Sequence, residues 1–171
     1  MSIYTKIEDS LYTAISKAFE TLGKNVRVVL SHQNGPEPKG DYVSINVLSM
    51  EREGSASKSG MAAWENNQAK EYSVQAYDSL VQLNFFGDNA PDLATLFHSQ
   101  WKSNTAVREH FLRNNLAPRI ISGLRRAPQL RDTVWINSFA VDIRVGYAVR
   151  TIQDVDWVDR VVINDNNFPI T

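Results

Sequence analysis

Ser55 and Lys58 stand at the Ser-x-x-Lys spacing that, on one helical turn, lets an amine activate a hydroxyl for acyl transfer. The Ser-Asp-Asn and Lys-Thr-Gly companions of such enzymes are absent, and in so serine-rich a stretch the spacing arises readily by chance. A phosphate loop fails there as well, because Ser59 occupies the place of its second glycine. His32, His98 and His110 fall in a turn and two helical stretches, with no short ligand spacing among them. His110 shares the apolar side of its helix with Val107 and reads as a partly buried, hydrogen-bonded histidine. Asp154, Asp156 and Asp159 lack the glycine and closing glutamate of a calcium loop and read as a solvated acidic edge. Asp78 and Asp142 lie in strand-like runs without an identifiable acid or base partner. The absence of cysteine excludes disulfides, thiol catalysis and cysteine zinc sites. No catalytic residue, metal or cofactor is expected.

Charge carries more information than any such motif. Its 18 basic and 19 acidic residues nearly cancel, which argues against a footprint for nucleic acid or anionic membrane spread over the whole protein. Locally they separate. Lys102, Arg108, Arg113, Arg119, Arg125, Arg126 and Arg131 face only Glu109 and Asp132 in their stretch, whereas Asp154, Asp156, Asp159 and Asp165 face only Arg160. Opposite-sign surfaces on one small domain suit head-to-tail self-association, with solvated surface as the plain alternative. A platform for single-stranded nucleic acid is disfavoured, since aromatics do not interleave with these arginines.

The elements that must position these groups follow from periodicity. At 171 residues and 43% hydrophobic, the chain suits one domain spanning 1–171. Its first residues turn polar too early for a signal peptide, and no apolar run is long enough for a membrane span, so a soluble intracellular protein is expected. Ile7, Leu11, Ile15, Ala18 and Leu22 form a helical stripe, with Thr5 and Glu8 as a capping box and Gly23 as the stop. Strands are expected at 26–30, around 42–48 and at 71–86, the last with a bulge or bend near Asp78. Residues 50–70 are small, polar and without period, which predicts a long loop or arm. Asn89 is placed to cap a helix carrying Leu93, Leu96, Phe97 and Trp101, with Pro91 in its first turn. A second helix starts near Asn104. A short strand is expected at 119–126 and a turn at 127–132.

The run 134–150 then alternates, with Trp135, Phe139, Val141, Ile143, Val145, Tyr147 and Val149 on one face and Ser138, Asp142 and Arg144 on the other. Ordinary strands have roughly five or six residues, so this one should outreach its neighbours. Residues 164–171 read as a frayed or partner-held tail. Strand-helix alternation is irregular, which excludes a doubly wound parallel sheet. The expected fold is α+β, a mainly antiparallel sheet of four or five strands with helices packed on one face.

From Arg125 the chain reads Arg-Arg-Ala-Pro-Gln-Leu, then the long strand ending near Tyr147-Ala148, then the acidic segment around Trp157. This succession resembles the tail-terminator or neck proteins of tailed bacteriophages. The likeness extends upstream to the strand 74–86, to the Gly-Asp-x-Ala helix start at Gly87 and to the opening helix, but not to 50–70. The resemblance implies a virion structural protein assembled in the host cytoplasm. Such proteins form rings, typically hexameric, that cap the tail tube, stop its polymerisation and join it to the head. The partners it implies are tail tube or sheath proteins, head connector or stopper proteins, and double-stranded DNA passing through the lumen without sequence-specific binding.

On that basis the interface candidates are Arg125, Arg126, Arg131, Asp142, Arg144, Asp154, Asp156, Trp157 and Asp159. Lys58, Met61 and Trp64 are the candidates in the partner-binding loop. A head-completion stopper or a tail-tube subunit is the nearest alternative. A serine hydrolase using Ser55 and Lys58, or a ligand-binding module, stands outside that class.

Overall fold

In the computed structural model, which describes residues 3–32, 35–65, 68–131, 133–155, 160–163 and 166–169, the opening apolar stripe forms helix α1 (Ile3–Thr21). Its buried face is Ile7, Leu11, Ala14, Ile15, Ala18 and Phe19. Thr5 lies inside this helix, so the expected capping box does not mark its start. The glycine stop holds: Gly23 N–H donates to Glu20 O at 3.0 Å and Lys24 N–H to Phe19 O at 2.9 Å, closing the last carbonyls.

Three helices lie along one sheet. After α1 come β1 (Arg27–Leu30), β2 (Tyr42–Glu65), β3 (Gln68–Phe86), α2 (Ala90–Ser103), α3 (Thr105–Arg113), β4 (Leu116–Ile121) and β5 (Arg125–Arg126). Then follow β6 (Gln129–Arg131), β7 (Val134–Ile136), β8 (Ser138–Val155), β9 (Arg160–Ile163) and β10 (Asn166–Pro169). The main sheet has the order β1-β2-β3-β8-β4, with β5 also paired to β8. It therefore has six strands where four or five were expected, and its edge pair β1–β2 is parallel, with Arg27 opposite Tyr42 and Leu30 opposite Ile45. The connection from Ser31 to Asp41 is long enough to carry the chain back to the same end of the sheet. Only two residues separate β2 from its neighbour β3, so that pair can only be antiparallel.

Period-two alternation decides which face the helices cover. Val43 and Ile45 of β2, Val81, Leu83 and Phe85 of β3, and Val141, Ile143 and Val145 of β8 are buried in one cluster with the apolar sides of α1, α2 and α3. Phe19 stacks on Phe97 at 5.6 Å, and Trp101 meets Phe111 edge-on at 4.8 Å. Burying each such side chain contributes about 1.5–3 kcal/mol, before any gain from ring geometry. The turn from β3 into α2 is pinned from outside the core. Gly87 has φ +104, and a Cβ there would sit 2.2 Å from Asp41 Oδ1 and 2.8 Å from its Cα, so only glycine fits. Asn89 stands at the start of α2 but does not cap it; its Nδ2 donates to Asp41 Oδ2 at 2.7 Å. Asn104 does cap α3, accepting from Ala106 N–H and Val107 N–H.

Further expectations change. Residues 50–70 are not a loop, since β2 and β3 run through them apart from positions 66–67. Hydrophobic period reveals a strand only when one face is buried; here the ladder between β2 and β3 holds the backbone, and the sequence carries no period to read. The turn expected at 127–132 holds strand β6, and the strand expected at 119–126 is divided into β4 and β5.

The run 134–150 breaks at Asn137 into β7 and β8, so Trp135 belongs to a separate two-stranded sheet and is 67% exposed rather than in the core. From Val141 to Val145 the alternation is as expected, whereas Ser138, expected on the polar face, is buried and donates its hydroxyl to Ala127 O. Of the tail expected to be frayed or partner-held, Asn166–Pro169 forms β10, paired antiparallel with β9.

The chain resolves into two compact units, Met1–Glu53 with Ala76–Ala148, and Gly54–Gln75 with Val149–Thr171. The first holds the helices and the core just described. The second holds the remaining parts of β2, β3 and β8 together with β9 and β10. Within it the Arg150 guanidinium lies 3.9 Å over the Tyr72 ring.

Candidate interaction surface

The face of the sheet opposite the helices is polar, and its charges are assembled rather than scattered. Asp78 projects from β3 and Arg144 from β8, and Arg144 Nη1 donates to Asp78 Oδ2 at 2.7 Å. A register shift between Pro118 and Ile120 makes Arg119 the extra residue of a bulge in β4. Its guanidinium reaches across Gly146, where a Cβ would lie 2.9 Å from both Nε and Nη2. It then binds Glu53 of β2 with both arms, at 2.9 and 2.5 Å, and passes 3.4 Å from Asp78 Oδ1. Four strands are thus linked by one ionic lattice. The Arg119 hydrogen bonds hold the Glu53 carboxyl below the usual carboxylate range, and the same bonds raise Arg119 further above its ordinary value.

A second ionic group lies further along the face. Arg125 Nη2 donates to both carboxylate oxygens of Asp142 at 2.7 Å, and Gln82 Nε2 reaches Asp142 Oδ1 at 3.3 Å. Arg126 instead donates to the neutral amide of Asn137 at 2.8 Å, and no carboxylate pairs with it among the described residues. Of the expected interface residues, Arg125, Asp142 and Arg144 therefore have partners within their own chain. The acidic partners that the sequence did not reveal for Arg119 and Arg144 are Glu53 and Asp78, each 66 residues away along the chain. No local spacing encodes such a pair.

Arg131 lies in β6 and Asp154 in β8, described by backbone alone. Lys58, Met61 and Trp64 fall in β2, likewise by backbone alone, and Asp156, Trp157 and Asp159 lie outside the described residues. Ser55 and Lys58 are in a strand, not on a helical turn, so the geometry that motivated acyl transfer is absent. His110 Nε2 lies 2.8 Å from Thr21 Oγ1, tying α3 to the end of α1 as a hydrogen-bonded structural histidine. Among the described residues no group of three metal-ligating side chains converges, and no helix is long and apolar enough to cross a membrane.

One apolar feature stands out on the surface. β6 and β7 form a two-stranded sheet of their own in which Leu130 is directly opposite Trp135. Leu130 is 57% exposed and Trp135 67%. Opposed residues of an antiparallel pair share a face, so the two side chains form one apolar knob.

Comparison with protein families supplies the class: the model for phage neck terminator proteins matches residues 9–168, nearly the whole chain. This protein belongs to that family. Comparison with curated proteins gives no match.

Proposed function

We propose that the chain is a ring-forming terminator at the phage head–tail junction, capping the completed tail tube and joining it to the head while DNA passes through the lumen. The observation that carries this reading is the family match over residues 9–168. The role is structural and needs no cofactor, and its place is the neck of the virion. Partners are further copies of itself, typically six to a ring, tail tube or sheath protein on one side and head connector or stopper protein on the other.

The strands β2 and β3 between Gly54 and Gln75 form the arm offered to tube or connector, with Lys58, Met61 and Trp64 as its contact residues. Main-chain pairing at exposed strand ends is the mode of contact. The acidic segment Asp154, Asp156, Trp157 and Asp159 meets a basic side of the neighbouring copy. Because Arg125 is already held by Asp142, Arg126 and Arg131 carry most of that attraction.

Native mass spectrometry and negative-stain imaging of the purified protein, with and without tail-tube protein, test the reading. A discrete ring that does not grow supports a terminator. A continuous tube would identify a tube subunit instead, and a strictly monomeric species in both conditions would exclude the ring. Deleting the arm between Gly54 and Gln75 should abolish tube capping and leave subunit folding intact.

A further inference from the structure

The molecule that carries the knob formed by Leu130 and Trp135 also carries an apolar cleft. A cleft of about 310 Å³ opens at the corner between α3 and β4, lined by Leu112, Leu116, Ala117, Gly146, Tyr147 and Ala148 among others. Of the four clefts described, it is the one lined mainly by apolar atoms. Leu112 on its rim is itself 54% exposed. The cleft that Trp135 borders in its own chain contains Pro91, Ile136 and Phe139 as well as Asp88, Arg126 and Asn137, but it is lined more by polar than by apolar atoms, and Trp135 remains 67% exposed beside it.

The knob cannot fill its own chain's apolar cleft. Phe139, beside the knob, and Tyr147, in the cleft, are separated along β8 by roughly 27 Å at about 3.4 Å per residue. A knob near one end of β8 and a hole near the other are the two halves of a heterologous contact, which repeats from copy to copy and closes into a ring when the rotation permits.

We infer that the Leu130–Trp135 hairpin of one copy seats in the Leu112–Tyr147 cleft of the next. The occupant is a second copy of this chain. This rests on the ring reading above and adds to it the residues that join one subunit to another. A tryptophan buries about 150–250 Å² on its own and is enriched among residues that dominate binding energy. A stable interface covers about 800 Å² per partner, so the hairpin supplies its apolar centre and the charged segments its rim. A contact of this kind persists at high salt, unlike one made by Arg126 alone.

Two exposed-site variants test the pairing, Trp135→Glu, which spoils the knob, and Leu112→Glu, which spoils the cleft. Circular dichroism first establishes that each remains folded. Wild-type protein should give rings, each variant alone should lose them, and an equimolar mixture should give dimers and nothing larger, because only one intact knob and one intact cleft remain. The chain has no cysteine, so Leu130→Cys with Leu112→Cys in one chain should also yield a covalent ladder on oxidation.

Rings from either Glu variant, or a mixture that fails to dimerise, would overturn the pairing while leaving the ring reading in place. Intact rings that lose only tube or connector binding would assign the hairpin to a different partner and overturn it equally. A wild-type chain that never assembles would overturn the ring reading itself.

Discussion

The two faces of the main sheet use the same strands and opposite chemistry. Toward the helices, β3 and β8 present Val81, Leu83, Phe85, Val141, Ile143 and Val145, all inaccessible to water. On the other side, the intervening positions present Asp78, Gln82, Asp142 and Arg144, engaged in ion pairs and hydrogen bonds that cross the strands. The apolar face gains free energy from area removed from water and needs no exact pairing of atoms. The ionic face gains little net energy, because solvated charges lose hydration when they pair, but its geometry is specific. Arg119 reaches Glu53 only from a bulge, and only over a glycine. The apolar face holds the fold together, and the ionic face fixes where the strands lie relative to one another.

The comparison predicts a large difference in mutational cost. Phe97→Ala and Trp101→Ala remove rings from the centre of the aromatic cluster and should each cost about 3–5 kcal/mol in urea denaturation. Trp101→Phe should cost much less, since the buried Trp101 Nε1 has no hydrogen-bond partner among the described residues. Equal costs for Trp101→Ala and Trp101→Phe would mean that the ring contacts of Trp101 with Phe97 and Phe111 contribute nothing to stability.

On the ionic face the largest effect should come from Asp78→Ala, which strands Arg144 and the nearer arm of Arg119. Asp78 is only 17% exposed but both arginines reach solvent, so about 1–2 kcal/mol is expected after discounting for screening. A double-mutant cycle with Arg144→Ala should show coupling. Additive losses would remove the lattice as a unit. Gly146→Ala should be milder still, displacing the flexible Arg119 side chain without changing any charge. In an Arg119→Ala background the added Cβ should have little further effect, because its clash partner is gone.

The same contrast explains what the sequence made legible. The helix-facing residues were readable, from Ile7 to Phe111, because burial imposes a period that can be counted along the chain. The ionic lattice was not, because Glu53 and Arg119, or Asp78 and Arg144, meet only after the sheet is assembled. Residues 50–70 misled for a related reason: their strands are held by backbone pairing, which leaves no trace in residue type. Trp135 misled in the other direction, because its period continued that of β8 across the break at Asn137. The family resemblance was carried by the succession from Arg125 to Trp157, a pattern of segments that does not depend on knowing which charges meet.

The smallest expected effect is a pH dependence, and it isolates one side of the lattice. Glu53 is held below the usual carboxylate range by hydrogen bonds from Arg119 and by its charge. A carboxyl whose value is lowered on folding contributes stability that is fully present above its unfolded value and is lost as pH falls through the folded one. Wild type should therefore exceed Glu53→Gln in stability near neutral pH, and the gap should close as the solution is acidified below the usual carboxylate range. Taking the difference between the two proteins cancels contributions that are common to both. Both side chains are well exposed, so the effect should also shrink in high salt. A gap that stays constant across the acid range would show that Glu53 acts on β2 through packing and not through its charge, and would leave Asp78 as the carboxylate that ties Arg119 of β4 into the lattice.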